Sequence, residues 1–349
     1  MSRILVDAYK IKNLNSGLGQ FSFQFITNLF KHSSPDLDIS CLAPSDKSIL
    51  FENKLSFVKA NLMNRHFRNS TKYDLWHSLH QFPAHLPNSN SKQILTIHDL
   101  NFLVEKEGNK RARYLKLMQK RVDNAHVITT ISEFSKIEIE KNINLKGKNI
   151  KVIYNGVEIQ NNLPEVTPNA LKKEAFLFSI GIFNKKKNFH SLLHMMRNLH
   201  NYKLVIAGNN ATSYGNEIKL LINEFSLQEK VILVGTITEN EKSWYYKNCK
   251  ALLFPSTAEG FGIPPIEAMM YGKPVFMSKL TSLPEIGGNV AFYFENFESD
   301  SMAKQIELGL TIAEIDPNFS SKSISYAAKF SWDTCIQKYL EVYRETINI

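Results

Sequence analysis

Short β-branched and aromatic runs alternate along the chain with longer stretches whose apolar residues recur at helical spacing. In the first half, residues 3–8, 37–42, 73–79, 93–97, 126–131 and 150–153 read as strands, with helical patterns near 18–31, 109–123 and 133–142. The second half repeats the alternation. FLFSIG (176–181), KLVIAG (203–208), KVILVG (230–235), KALLFPS (250–256) and KPVFM (273–277) read as buried strands, with helices near 188–199, 213–226, 239–248 and 264–271. Strands this apolar, separated by helices, predict parallel sheets covered on both faces. Segment 158–174, EIQNNLPEVTPNALKKE, breaks the pattern; it is polar, carries two prolines and has a linker composition. The expected fold is α/β, two doubly wound Rossmann-like domains of similar size with a cleft between them, divided near residue 160. Ser331 reads as the N-cap of a last helix with Trp332, Ile336, Tyr339, Leu340 and Tyr343 on one apolar stripe.

The length of 349 residues suits two domains, since single cores stop growing at about 250–300 residues. No apolar run reaches the roughly 18–20 residues that span a bilayer. The start, MSRILVDAYKI, runs straight into a strand pattern and resembles neither a signal nor a transit peptide. Cys41, Cys249 and Cys335 are far apart and odd in number. They argue against a disulfide framework or a zinc site, and fit a reducing cytoplasm. The net charge of +9 is unevenly placed: residues 1–160 hold 23 Lys/Arg and 14 Asp/Glu, the remainder 19 of each. The first half should therefore meet something anionic, be it nucleic acid, an acidic membrane surface or a phosphorylated substrate. A solvated basic face is the plain alternative.

Four segments could carry chemistry. The sharpest is PSTAEGFGIPPIEAMMYGKPV (255–275), set between two strands. Glu259 enters a glycine turn, Gly260-Phe261-Gly262, and Pro264-Pro265 open a helix, where proline lacks only an N–H that has no partner anyway. Gly262 lets backbone approach a ligand, and free N–H groups with the helix dipole favour a phosphate. Glu267 follows Glu259 by eight residues, so two carboxylates could hold two hydroxyl-bearing parts of one ligand. Either glutamate alone would be an ordinary surface residue. In GIFNKKKNFHSLL (181–193), Lys185, Lys186 and Lys187 stand at the carboxyl edge of a parallel sheet, where α/β folds bind ligands. A lysine there can neutralise a pyrophosphate leaving group; a solvated cluster is the alternative. In NSGLGQFSFQF (15–25), Gly17 and Gly19 lack the third glycine of the dinucleotide fingerprint, and a tight turn explains them equally well. QILTIHDL (93–100) ends a buried strand on His98 and Asp99. Asp36-Leu37-Asp38 reads as a turn, and His77, His80 and His85 lack the framing of a metal motif. No protein-held metal and no cofactor are expected.

Together and in order, these segments resemble the retaining family 4 glycosyltransferases of GT-B fold over nearly the whole chain. NSGLGQFSFQF is similar to the family's glycine loop. TIHDL, ITTISEFSK and VIYNGVE resemble the end of its first domain. FLFSIGIFNKKKN resembles its strand-plus-basic segment, and AEGFGIPPIEAMMYGKPV its glutamate–seven–glutamate signature, followed by SLPEIGG and the tail FSWDTCIQKYLEVY. The resemblance implies an acceptor-side domain over 1–160 and a nucleotide-sugar domain over 161–330. It further implies that the helix of 331–349 packs back on the first domain. It implies transfer of a hexose with retention. Glu259 would touch the donor sugar, and Phe261 and Gly262 would line its pocket. The Ile263 N–H would meet the phosphate, and Glu267 the ribose. Lys187, helped by Lys186, would stabilise the pyrophosphate. Gly19 would let the donor phosphate approach the first domain, His98 would sit by the donor sugar, and Ile237 would pack near the base. Ile182 stands where many members have arginine, and Pro264 removes a backbone donor that some members have. No carboxylate nucleophile stands out, which matches front-face attack with the leaving phosphate taking the acceptor proton.

The implied function is a hexosyltransferase, most simply mannose from GDP-mannose onto a glycan or lipid-linked acceptor in surface polysaccharide (O-antigen-like) synthesis. A UDP- or dTDP-sugar donor is the alternative within that class. A non-catalytic peripheral membrane or binding protein reusing the fold is the alternative outside it, but such a protein has no need of Lys187, Glu259 and Glu267. Nucleic acid is not expected, for no aromatic platform interleaves a basic stripe. The segment 110–121 places Lys110, Arg111, Arg113, Lys116, Lys120 and Arg121 among Tyr114, Leu115, Leu117 and Met118. That pattern suits an anionic membrane surface, and a cytoplasmic protein peripheral to the membrane's inner face is expected; a solvated helix over the sheet is the alternative.

Overall fold

Strand and helix alternate as the apolar pattern dictates, and in a computed structural model the chain divides into two compact units, Met1–Gly156 with Phe330–Ile349, and Val157–Lys329. The structure describes all residues except 15, 33–34, 52–55, 61–72, 88–90, 160–173 and 349. Most of the proline-bearing linker, and the expected boundary at 160, lie outside the described residues.

In the first unit the strands are β1 (Ser2–Asp7), β2 (Leu37–Ala43), β3 (Ser56–Lys59), β4 (Leu75–Ser78), β5 (Lys92–Ile97), β6 (Val127–Thr130) and β7 (Ile150–Val152). They form one parallel sheet in the order β3-β2-β1-β4-β5-β6-β7. Its helices include α1 (Gly17–Lys31), α2 (Phe102–Glu105), α3 (Gly108–Asn124) and α4 (Glu133–Asn142). Ser16 and Ser132 cap α1 and α4 by accepting the N–H of Gly19 and of Ser135.

The second unit holds β8 (Phe176–Ile180), α5 (Phe189–Met196), β9 (Lys203–Ala207), α6 (Ser213–Glu224), β10 (Val231–Gly235), α7 (Glu239–Asn248) and β11 (Ala251–Phe254). It continues with α8 (Ile263–Met270), β12 (Val275–Ser278), α9 (Leu283–Gly287), β13 (Phe292–Phe294), α10 (Ser299–Ile315) and α11 (Phe319–Ala327). Its parallel sheet runs β10-β9-β8-β11-β12-β13. Each sheet thus turns back on itself beside its first strand, between β1 and β4 and between β8 and β11. A reversal of strand order opens a crevice at the carboxyl ends, where α/β proteins hold ligands.

The chain ends in α12 (Trp332–Asn348). Ser331 caps it by accepting the Thr334 N–H at 3.1 Å. Its stripe of Trp332, Ile336, Tyr339, Leu340 and Tyr343 is buried with Ile4, Val6, Phe25 and Leu29 in the core of the first unit. The helix also brings hydroxyls inside. Tyr343 and Thr96 bond the two ring nitrogens of His77 at 2.7 and 2.8 Å, and burial drops that imidazole's pKa to about 3, so it is neutral. Asp36 accepts from the Arg344 guanidinium at 3.0 Å; Leu37 and Asp38, expected with it in a turn, already belong to β2, because the sheet pairing with β1 starts at Leu37.

Candidate functional site

The second unit's crevice is built by the loops after β8 and β11. After β8, Gly181 takes φ +159°, and residues 185–187 wind into one 3-10 turn that ends on Asn188 at φ +55°. This turn brings the Lys187 ammonium to 2.6 Å from Glu259 Oε1 and 4.6 Å from the Phe254 ring centre. The pair lies largely out of water, 13 % and 15 % exposed. A Cβ on Gly181 would stand 2.8 Å from Lys187 Cε, so glycine there leaves room for the lysine stem. Lys186 contributes its carbonyl, which accepts the Thr257 N–H at 2.7 Å and ties the two loops together. Ile182, in the position that lacks arginine, is exposed.

The loop after β11 is held from beneath by α9's entry. Thr281 Oγ1 accepts the Glu259 N–H at 3.1 Å, and the Ser282 hydroxyl reaches the Glu259 and Phe261 carbonyls at 3.0 and 3.1 Å. Phe261 is buried. Gly262 is the N-cap of α8 at φ +113°, ψ +62°, with Ile263 and Pro264 opening the first turn. An L side chain there would be strained, and its Cβ would press on Leu283 at 2.9 Å. Ile263 and Pro264 are half-buried.

Glu267, one turn into α8, is 8 % exposed. Lys242 Nζ meets its Oε1 at 2.8 Å, and the Tyr246 hydroxyl donates to its Oε2 at 2.8 Å. Both come from α7, four residues apart and so on one helical face. α7 starts at a capping box in which Thr238 and Glu241 satisfy each other's backbone N–H groups. Burial alone would lower the Lys242 pKa; the Glu267 and Glu239 carboxylates outweigh it and hold the ammonium above its ordinary value. Glu239, Lys242, Ser243, Tyr246, Glu267 and Tyr271 line an open hollow of about 250 Å³, its mouth included. Ile237, half-buried, lies between β10 and this helix.

Sequence reasoning therefore located Lys187 and Glu259, which the structure joins, and Glu267, which it places in the hollow. It missed Lys242, Tyr246, Thr281 and Ser282. The S-L-P-E-I-G-G segment pointed near the last two. Nothing local marked Lys242, whose partner is 25 residues away. Gly19 and His98 belong to the first unit. The close approach that Gly19 allows is to the chain itself: a Cβ would sit 1.9 Å from the Asn13 carbonyl oxygen. The His98 Nε2–H donates to the Leu79 carbonyl at 2.8 Å and its ring meets Phe21 edge-on, and burial lowers its pKa to about 4.

Comparison with known proteins decides what this arrangement belongs to. Residues 165–329 match the family model described as glycosyl transferases group 1, and residues 40–161 match glycosyltransferase family 4. The chain belongs to the family 4 glycosyltransferases. Among the curated relatives of this glycosyltransferase, O-antigen chain mannosyltransferase B of Escherichia coli is 25 % identical over 276 residues, 74 % of this chain and 72 % of the relative. O-antigen chain mannosyltransferase RfbU of Salmonella typhimurium (strain LT2) is 24 % identical over 358 residues, 96 % and 97 % of the two chains. Among solved structures, Anabaena Alr3699/HepE in complex with UDP-glucose superposes with a TM-score of 0.76 over 99 % of this chain and 100 % of that one, at 17 % identity. The fold is GT-B.

Proposed function

We propose that this glycosyltransferase moves mannose from GDP-mannose, with retention of anomeric configuration, to a glycan or lipid-linked acceptor of surface polysaccharide at the cytoplasmic face of a membrane. The names of the two O-antigen relatives support the sugar. The Lys187–Glu259 pair across the β8/β11 crevice, beside the Gly262-capped helix, carries the chemistry. In this reading Lys187 faces the diphosphate. Its ammonium, aimed by Glu259 and stacked over Phe254, stabilises the negative charge that grows as the glycosidic bond breaks. The Ile263 N–H and the amino end of α8 add to it. Glu259 accepts from donor sugar hydroxyls and Glu267 from the ribose, with Phe261 and Gly262 shaping the pocket and Ile237 beside the base. Lysine and backbone N–H groups supply the charge that a metal would, and transfer is expected to be metal-independent.

The test is transfer with GDP-mannose, UDP-glucose, UDP-galactose, UDP-N-acetylglucosamine and dTDP-rhamnose, with the product's anomeric configuration read by NMR and each assay repeated in EDTA. GDP-mannose should be used best and the product should keep the donor's configuration. A UDP- or dTDP-sugar preference refutes the donor, inversion refutes the mechanism, and a strict divalent-ion requirement refutes the lysine reading.

A further inference from the structure

Two side chains that the donor reading leaves without a role stand on the Glu267 carboxylate. The Lys242 ammonium donates to Oε1 and the Tyr246 hydroxyl to Oε2, each at 2.8 Å. Both donors come from α7, whereas Glu267 is on α8. A carboxylate has about four acceptor positions. Among the described residues these two bonds take one on each oxygen, so one on each remains, and Glu267 lines the hollow.

Both donors are held fast. Tyr246 is 1 % exposed; its ring stacks on Tyr271 with centroids 5.8 Å apart and meets Phe178 edge-on at 5.4 Å. Tyr271 is itself tied to α7 by a 2.8 Å bond between its hydroxyl and that of Ser243. Burial and the Glu267 charge hold the Tyr246 phenol well above its ordinary pKa, so the phenol is the donor and the carboxylate the acceptor. Lys242 has a second carboxylate, Glu239 at 2.9 Å, but that side chain is 56 % exposed against 11 % for Glu267. An exposed ion pair is worth little, whereas loss of one partner from a buried pair leaves a charge unmet. The Glu267 contact is therefore the one that carries weight. An unclamped glutamate turns about several side-chain bonds, and freezing it on binding costs affinity. A glutamate clamped through both oxygens meets its ligand without that cost.

Resting on the nucleotide-sugar reading above, we propose that Lys242 and Tyr246 are positioning residues for the donor nucleotide: they clamp Glu267 so that its remaining acceptor positions meet the two neighbouring hydroxyls of a ribose. They act through Glu267 and not on the nucleotide. The clamp then sets how strongly the site prefers a ribonucleotide to its 2′-deoxy form.

The experiment is calorimetric titration of the full chain with GDP, UDP and their 2′-deoxy forms. Wild type should bind the ribo form about tenfold or more tighter than the deoxy form, a difference of roughly one hydrogen bond to a charged group. Lys242→Met and Tyr246→Phe should each weaken the ribo form by about tenfold and the deoxy form less, closing the preference to within about threefold. Lys242→Arg keeps a charged donor for the carboxylate and should restore the preference. In a Glu267→Ala background, Lys242→Met and Tyr246→Phe should change nucleotide affinity by less than about twofold, because the residue they act through is gone. A merely structural role would weaken both forms alike and would add to the loss in Glu267→Ala. Either of those results, no ribo preference in wild type, or a wild-type preference in both single variants overturns the proposal. Should Lys242→Met fail to fold, Tyr246→Phe, which removes a single oxygen, decides it. If wild type binds neither GDP nor UDP, or Glu267→Ala binds them like wild type, the nucleotide reading itself falls, so the two failures are told apart.

Discussion

In the proposed mechanism Lys187, Glu259 and Glu267 act at different moments of the reaction. Charge accumulates on the diphosphate only as the bond breaks, so Lys187→Ala should lower kcat by about 10²–10³ while raising donor KM far less. In the proposed mechanism Glu267 would hold the ribose equally in ground and transition states, so Glu267→Ala should chiefly raise donor KM and weaken bare nucleotide binding. Glu259→Ala should cut transfer and leave nucleotide affinity near wild type. Steady-state kinetics beside calorimetric titration with GDP and UDP checks all three, and normal turnover by Lys187→Ala would remove the crevice from the mechanism. Asp7 allows a prediction about stability. Burial raises its pKa to about 7, against below 4 in an unfolded chain. Between those values the folded state holds the extra proton, so wild-type stability falls as pH climbs through that window and levels off above it. Asp7→Asn does not titrate. Relative to wild type it should gain roughly 2–4 kcal/mol between pH 4 and pH 7.5 in denaturant melts; an equal offset at both pH values would show that Asp7 titrates normally.

Elements show how a pattern becomes a site, and where the pattern fails to report it. The apolar runs foretold the long strands and helices to within a few residues. They did not foretell β3, α2, α9 or β13, which are three to five residues long and too short for a period to register. The same limit applied to the site. Gly262 and Glu267 were legible because a helix start and an eight-residue interval are local facts. Lys242 and Tyr246 were not, because only the packing of α7 beside α8 brings them to Glu267. His85 looked like a stray histidine until the fold put its backbone N–H on the Asp7 carboxylate. Gly17 and Gly19 looked alike in sequence and differ in the structure. Gly17 has open space where a Cβ would go, whereas at Gly19 the Asn13 carbonyl, held in the loop after β1, fills it. Gly17→Ala should be neutral or up to about 1 kcal/mol stabilising. Gly19→Ala should cost about 1–3 kcal/mol, because backbone must move. Thermal melts of the pair check this, and equal melting temperatures would refute the tight contact.

The charge of the whole molecule has an address. The first unit, tail included, holds 25 Lys/Arg and 16 Asp/Glu, and the second 17 of each, so the +9 belongs to the first unit alone. α3 concentrates it. Met118 and Val122 anchor that helix on the sheet, while Lys110, Arg111, Arg113, Lys116 and Lys120 are exposed, together with Leu117 and with Val104 of α2. Cations interleaved with a few exposed apolar side chains fit an anionic bilayer, whose surface attracts each nearby Lys or Arg by about 1 kcal/mol. Among the described residues no helix is long and apolar enough to cross a membrane, so attachment of this kind would rest on the surface charge. Screening sets the test: the Debye length is about 10 Å at 0.1 M salt and about 3 Å at 1 M. Co-sedimentation with phosphatidylglycerol-rich vesicles should be strong at low salt and should fall away as salt rises, and phosphatidylcholine vesicles should retain little protein. Lys110→Glu, Arg113→Glu and Lys116→Glu together remove three attractions and add three repulsions, which should lower vesicle partitioning by about 100-fold or more at low salt. The same variant should bind GDP and UDP as wild type, because none of its changes lies in the second unit. Binding indifferent to salt, lipid charge and this triple change would leave the basic helix as a solvated cover on the sheet.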